Sequence, residues 1–194
     1  SDYMLERMIK EDMLEKIDHN NIPNFKYIEE RFKNLSYDPD NEYSVPYMWG
    51  TIGIIYNKTM VKEPVNSWKI LWDKKYEKQI FMLNSSRDTI AITLKMLGYS
   101  INTKNIDELE KAKNALIEQK PLVLSYTEDD VKDSMIAGQA ALAVVWSGDA
   151  VYMKGENPDL EYVIPKEGGN IWFDAMVIPK TSKNREQIGR ASCR

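Results

Sequence analysis

The sequence predicts an α/β fold, and three observations support this prediction. Short apolar strands alternate with helices of about ten residues along most of the chain, a pattern typical of βαβ units and of a largely parallel sheet. The unbroken apolar run 140–146 is typical of a strand that is buried on both faces. Hydrophobic residues make up 43% and charged residues 29% of the 194 residues, which is enough apolar material for a substantial core.

The first third of the chain contains one predicted helix, a loop-rich stretch and one long extended segment. Ser1 is a favourable N-cap, and apolar residues follow it at helical spacing, so we expect a helix that ends near residues 16–20. Residues 21–41 are rich in Asn, Pro and Asp and predict loops, with one short helix near residues 28–32. Residues 43–57 are β-branched and aromatic, and their length predicts a strand that passes from one sheet to another.

The remaining elements are predicted from alternating apolar runs and capping residues. Ser67 begins a short helix, Gly98 closes a helix over residues 89–97, and Asn105 precedes the next helix. Two more helices are expected over residues 127–137 and from residue 147. The predicted strands cover residues 79–83, 121–125, 140–146, 160–165 and 171–179.

Polar residues follow three of these strands directly. They occupy residues 84–88, 126–130 and 146–148. Ligands of parallel α/β sheets bind at the carboxyl ends of the strands, so we expect these three groups to lie at one ligand-binding edge.

Residues 168–174 carry the clearest chemical signal. In a strand, Trp172 and Asp174 project to the same face, and Phe173 points to the other. An indole attracts an organic cation and covers its methylene groups, while a carboxylate accepts its N–H donors. A core Trp followed by an Asp at a strand end is the structural alternative, and this segment alone leaves both open.

Composition excludes several classes of function. A net charge of −4 without a basic stripe argues against a nucleic-acid partner. The chain has one cysteine, Cys193, and one histidine, His19, so it cannot form an internal disulfide or the usual zinc sites. No run of 18 apolar residues predicts a transmembrane helix.

Several short motifs, taken in order, resemble the spermidine/putrescine-binding proteins of bacterial ABC importers, a branch of the periplasmic solute-binding superfamily. The matching stretches are SDYM at 1–4, YSVPYMWG at 43–50, SW at 67–68 with LW at 71–72, LGYS at 97–100, WSG at 146–148, and PKEGG at 165–169 running into WFD at 172–174. The likeness extends from residue 1 to about residue 187.

The resemblance implies a two-lobed periplasmic-binding-protein fold with the polyamine in the cleft between the lobes. We expect residues 1–50 to form part of the first α/β lobe, 51–172 a second, nearly complete lobe, and 173–187 a strand crossing back. We expect residues 188–194 to be unrelated to the family and the chain to be an internal fragment. The implied protein is a non-catalytic, monomeric, extracytoplasmic receptor whose export signal lies outside this chain. Its partners are a polyamine and the membrane permease, with no nucleic acid, cofactor or metal.

The resemblance also assigns eight ligand-binding residues. Ser1 and Tyr3 match a turn that lines the cleft, and Asp88 matches a carboxylate that takes an ammonium. Trp146 and Trp172 match indoles that sandwich the alkyl chain. Asp174 matches the carboxylate that anchors an amine near the middle of the site. Glu128 lies in a ligand-contacting loop, and Ser85 stands where the family often has a second acid.

Structural roles remain open for each of these residues. The two Trp side chains could be core residues, and Asp88 could be a first-turn acid favoured by the helix dipole. Glu128 could belong to a solvated helix start, and Tyr3 could be a surface residue. Other functions also remain open: a receptor for a different solute, a polyamine sensor domain, or a hydrolase that uses Asp88 or Asp174.

Overall fold

Six strands and five α-helices alternate along residues 1–184, the part of the chain that the computed structural model describes. The helices are α1 (Asp2–Lys10), α2 (Ser86–Met96), α3 (Ile106–Gln119), α4 (Val131–Ile136) and α5 (Ser147–Glu156). The strands are β1 (Ser44–Asn57), β2 (Ile80–Leu83), β3 (Val123–Thr127), β4 (Leu142–Trp146), β5 (Leu160–Val163) and β6 (Ile171–Val177). The predicted α/β class is confirmed. The predicted tail of residues 188–194, with Cys193, lies outside the described residues.

The chain divides into two compact units. The first unit contains Ser1–Trp49 and the described residues from Trp172 onward, and the second unit contains Gly50–Ile171. Strands β1 and β6 each continue from one unit into the other. The second unit is therefore one continuous piece of chain, whereas the first is assembled from two pieces.

The sheet is largely parallel, with β1 as the exception. The strand order is β3-β2-β4-β1-β5, and β6 also pairs with β1. Strand β2 is parallel to β3 and β4, while β1 is antiparallel to both β4 and β5. Four strands of the main path thus run in one direction. Strand β1 runs the other way because it enters the sheet as the crossover strand and not through a βαβ connection.

Several local predictions are confirmed by the hydrogen bonds that begin the helices and turns. Ser67 Oγ accepts from the backbone N–H of Lys69 at 3.2 Å, and Asn105 Oδ1 accepts from that of Asp107 at 2.9 Å. Gly98 has a φ of 83° and ends α2, as expected of a residue free to adopt the left-handed region. Side-chain caps of this kind satisfy N–H groups that have no partner inside a helix.

Helix α1 is shorter than predicted, because a long-range pairing competes with helical spacing. It ends at Lys10, and Asp12 takes a φ of 53°. Leu14 then forms a β-bridge with Pro179, and the N–H of Glu15 donates to the carbonyl oxygen of Ile178 at 2.8 Å. A contact with a segment so distant in sequence is invisible to a periodicity argument.

The core of the second unit lies where α4 and α5 pack on the sheet. Strand β4 is buried from Leu142 to Val145, as its unbroken apolar run predicted. The buried core cluster contains Ile55, Phe81, Val131, Met135, Ala140, Ala143, Val145, Ala150, Met153 and Leu160. Along residues 1–184, no helix has the length and apolar character needed to cross a membrane.

Candidate functional site

Three parallel strands of the second unit end at the same edge of the sheet. Strands β3, β2 and β4 are adjacent and parallel, so the predicted polar groups that follow them share that edge. The backbone N–H of Asn84 donates to the carbonyl oxygen of Thr127 at 2.9 Å, which joins the first residues beyond β2 to the end of β3. Asp88, Glu128 and Trp146 therefore belong to one edge, as predicted.

Asp88 lies in the first turn of α2, and two hydrogen bonds hold its carboxylate. Ser85 Oγ donates to Asp88 Oδ2 at 2.8 Å, and Asn170 Nδ2 donates to Asp88 Oδ1 at 3.0 Å. Ser85 is also the N-cap of α2, and its hydroxyl accepts from the Asp88 N–H at 3.4 Å. Both donors are uncharged, so these bonds orient the carboxylate and leave its negative charge in place.

Trp146 is the last residue of β4 and is half-buried. It pairs with Ile52 of β1, and Ser147, which follows it, accepts the N–H of Thr51 at 3.2 Å. Thr51 also shares a 3.2 Å hydrogen bond with the hydroxyl of Tyr162. The backbone around the indole is thus fixed by contacts to two neighbouring strands.

Glu128 is exposed, and its acidic neighbours are engaged in local contacts. Lys132 Nζ lies 2.7 Å from Asp129 Oδ1 and 3.4 Å from Asp149 Oδ1. The hydrogen bond to Asp129, more than any other contact, raises the pKa of Lys132. Asp130 accepts from the backbone N–H of Glu128 at 3.0 Å. This acidic stretch therefore serves mainly to begin α4 and to hold Lys132.

In the first unit, Trp172 and Asp174 lie in β6, as the strand pattern predicted. The amino nitrogen of Ser1 lies 3.4 Å from Asp174 Oδ1, in a pair whose side chains are 47% and 46% exposed. Such a half-exposed pair contributes little to stability. Tyr3, in the first turn of α1, is exposed. The Nε1 of Trp172 is buried and has no hydrogen-bond partner within residues 1–184.

A pocket of about 250 Å³ opens beside Asp174 within the first unit. Six aromatic rings and two carboxylates contribute to its wall. The lining residues are Tyr27, Ile28, Glu29, Phe32, Tyr37, Pro46, Tyr47, Met48, Trp49, Phe173 and Asp174. Rings beside carboxylates are the surroundings that suit an organic cation.

The electrostatics of this pocket favour positive charge. Burial, followed by the negative charges of Asp2, Asp38 and Asp174, raises the pKa of Tyr37 to about 12. The guanidinium of Arg31 already lies over two pocket rings, 4.6 Å from the centroid of Phe32 and 5.6 Å from that of Trp49.

Most of this pocket was missed by the sequence argument. Glu29, Phe32 and Tyr37 lie in a stretch of 3-10 turns that has no periodic pattern. Trp49 was interpreted as structural, yet it is 45% exposed and lines the pocket. Tyr47, Met48 and Trp49 are three successive large exposed side chains in one strand, and such a run was the available signal.

The predicted residues therefore form one group in each unit. In the second unit, Ser85 contacts Asp88, and Glu128 and Trp146 share the same sheet edge. In the first unit, Ser1 contacts Asp174, and Trp172 lies two residues away in β6. His19, the lone histidine, bonds the Asn41 carbonyl oxygen at 2.8 Å. Among the described side chains, no group of three or more His, Cys, Asp and Glu residues is placed to hold a metal ion.

Comparison with known proteins identifies relatives along nearly the whole chain. It is 35% identical to the spermidine/putrescine-binding periplasmic protein of Salmonella typhimurium over 187 residues, covering 96% of this chain and 54% of that protein. A solved structure from Listeria monocytogenes, described as a candidate spermidine/putrescine ABC transporter, matches with a TM-score of 0.94 and 43% identity. It covers 98% of this chain and 59% of that one.

A second solved structure, the PotD substrate-binding protein of the Streptococcus pneumoniae spermidine/putrescine ABC transporter, matches with a TM-score of 0.83 and 39% identity. The match covers 98% of this chain and 59% of that one. The chain thus spans little more than half the length of the relatives it matches. The family model of bacterial extracellular solute-binding proteins matches residues 1–190. The chain belongs to the family of bacterial extracellular solute-binding proteins.

Proposed function

We propose that this chain carries polyamine-binding residues of an extracytoplasmic receptor that serves an ABC importer. The observation that carries the proposal is the ring-lined pocket beside Asp174, where aromatic faces and carboxylates offer an alkyl ammonium both of its preferred contacts. Relatives that are named for binding spermidine and putrescine support this ligand class.

A linear diammonium fits these surroundings on energetic grounds. An ammonium that leaves water loses hydration, which charge-assisted hydrogen bonds and ring contacts must offset. Each cation–π contact contributes on the order of 0.5–2 kcal/mol. Burial of four methylene groups adds roughly 3 kcal/mol. A neutral molecule of the same length gains only the second contribution, so the proposed receptor favours the charged ligand.

The eight predicted residues have distinct proposed roles. Asp174 anchors one ammonium and Asp88 accepts another. Trp146 and Trp172 cover the methylene chain, and Ser1, Tyr3 and Glu128 contribute surrounding contacts. Ser85, the eighth, contacts Asp88. The receptor is proposed to be periplasmic, monomeric and non-catalytic, and to pass its ligand to a permease in the membrane.

Isothermal titration of the chain with putrescine and spermidine tests the proposal, with 1,4-butanediol as an uncharged ligand of matched length. Both amines should release or absorb heat and the diol should not. Asp174→Asn should weaken binding, while Asp40→Asn, at an exposed acid of the same unit that does not line the pocket, should not. Recovery of the intact polyamine by mass spectrometry separates binding from turnover. A folded chain that gives no heat with any amine would refute the proposed ligand class.

A further inference from the structure

We propose that Asn170 and Ser85 act together as positioning residues that hold the Asp88 carboxylate in a fixed orientation for one ammonium group. This inference rests on the proposed polyamine function. It concerns how the chain presents its acid, and it gives Ser85 a role through Asp88 in place of a direct ligand contact.

The two donors bind different oxygens of the same carboxylate. Asn170 Nδ2 donates to Asp88 Oδ1 at 3.0 Å, and Ser85 Oγ donates to Asp88 Oδ2 at 2.8 Å. One bond to each oxygen prevents the carboxylate from rotating about its terminal bond. Each oxygen can accept a second hydrogen bond, so the carboxylate still has acceptor sites for a ligand.

Asn170 itself stands on a rigid support. Its carbonyl oxygen accepts the N–H of Ile52 at 3.1 Å. Two residues earlier, the carbonyl oxygen of Gly168 accepts from Nε1 of the fully buried Trp68 at 2.8 Å. Gly168 has a φ of 83°, which a residue with a side chain rarely adopts. The amide is thus carried by a turn that is bonded on both sides to the sheet and core of the second unit.

Ser85 has little capacity left for a ligand. Its hydroxyl proton is donated to Asp88 Oδ2, and its oxygen accepts the Asp88 N–H at 3.4 Å. It also serves as the N-cap of α2. Because both donors are neutral, the three side chains together carry one negative charge. That charge matches one ammonium and favours a ligand with a single positive group at this end.

The geometry can be tested without ligand by NMR. The side-chain NH₂ resonances of Asn170, assigned through Asn170→Ala, should lie downfield in the wild-type chain and return toward the values of an exposed asparagine in Asp88→Ala. Asn114, an exposed residue of α3, provides the reference resonance. An Asn170 side-chain resonance that does not respond to Asp88→Ala would overturn the proposed bond.

The functional part is tested by a double-mutant cycle in putrescine titrations. Asn170→Ala and Ser85→Ala should each weaken binding about tenfold, the size expected for a hydrogen bond to a charged group. In an Asp88→Asn background neither should weaken it further, because both act through that carboxylate. Ser85→Thr, which keeps the hydroxyl, should restore affinity, and Asn114→Ala should have no effect.

The outcomes distinguish this inference from the proposed function. A wild-type chain that binds putrescine but is insensitive to Asn170→Ala would refute the positioning role and leave polyamine binding intact. An equal loss in the presence and absence of the Asp88 carboxylate would assign Asn170 a different role. A wild-type chain that binds no polyamine would refute the proposed function itself, while the NMR experiment still tests the hydrogen bond.

Discussion

Replacing Gly169 with alanine should destabilise the second unit, because the new methyl group would meet backbone. A Cβ at this position would lie 2.5 Å from the carbonyl oxygen of Ile52 and 3.6 Å from a methyl carbon of Ile164. The carbonyl cannot turn aside as a flexible side chain could, since it belongs to the central strand β1. Relief of the clash must separate this loop from β1 and lengthen the 3.1 Å hydrogen bond from the Ile52 N–H to the Asn170 carbonyl oxygen.

Two contributions give the expected magnitude. Overpacking costs about 1–3 kcal/mol, and loss of one backbone hydrogen bond adds about 1 kcal/mol, so Gly169→Ala should lower the free energy of unfolding by about 2–4 kcal/mol. The melting temperature should fall by roughly 4–16 °C for a chain of this size. Circular dichroism during thermal and urea unfolding measures both values.

A matched substitution with the opposite expected sign provides the control. Gly155 lies in α5, and a Cβ there would have no neighbour within 4 Å. Gly155→Ala should therefore raise stability by up to about 1 kcal/mol, because alanine is the better helix former. Equal stability of Gly169→Ala and the wild type would show that the loop does not pack on Ile52 and would also weaken the argument for a rigidly held Asn170.

Three further predictions concern the pocket and the acids. Stability should fall as the pH rises from about 10 toward 12, because Tyr37 ionises near 10 in the unfolded chain but near 12 in the folded one; unfolding at pH of about 9 and 11 should show this loss in the wild type and a smaller one in Tyr37→Phe. Asp174→Asn should weaken putrescine binding by roughly 10- to 150-fold and Glu128→Gln by less than about 5-fold, since Glu128 is exposed; equal small losses in titration would exclude Asp174 as the anchor. Ser85→Asp should raise the affinity for spermidine relative to putrescine by about 2- to 5-fold through one added ion pair, and an unchanged ratio would contradict a single-charge site at Asp88.

Local features of the fold were predictable because short-range chemistry determines them. The caps Ser67 and Asn105 and the terminating Gly98 act within a few residues of their own position. The burial of β4 follows from its uniform apolar run. The end of α1 and the direction of β1 depend instead on contacts with distant segments, so spacing along the chain could not reveal them.

The same division applies to the candidate site. Strand alternation and strand ends were enough to nominate Trp172, Asp174 and the edge that carries Asp88. The bond between Asn170 and Asp88 joins residues 82 positions apart, so no local pattern predicts it. The rings around Asp174 come partly from 3-10 turns, whose side chains follow no simple period, and the wall of the pocket was therefore missed.

The continuous second unit acts as a folded bridge inside the discontinuous first unit. Its chain enters and leaves side by side, since the N–H of Ile52 donates to the carbonyl oxygen of Asn170. If this bridge unfolds, the two halves of the first unit are connected by a long flexible loop whose closure costs entropy. Cooperativity should therefore be one-sided: melting of the second unit weakens the first, whereas the inserted segment, with its ends already paired, suits excision or circular permutation.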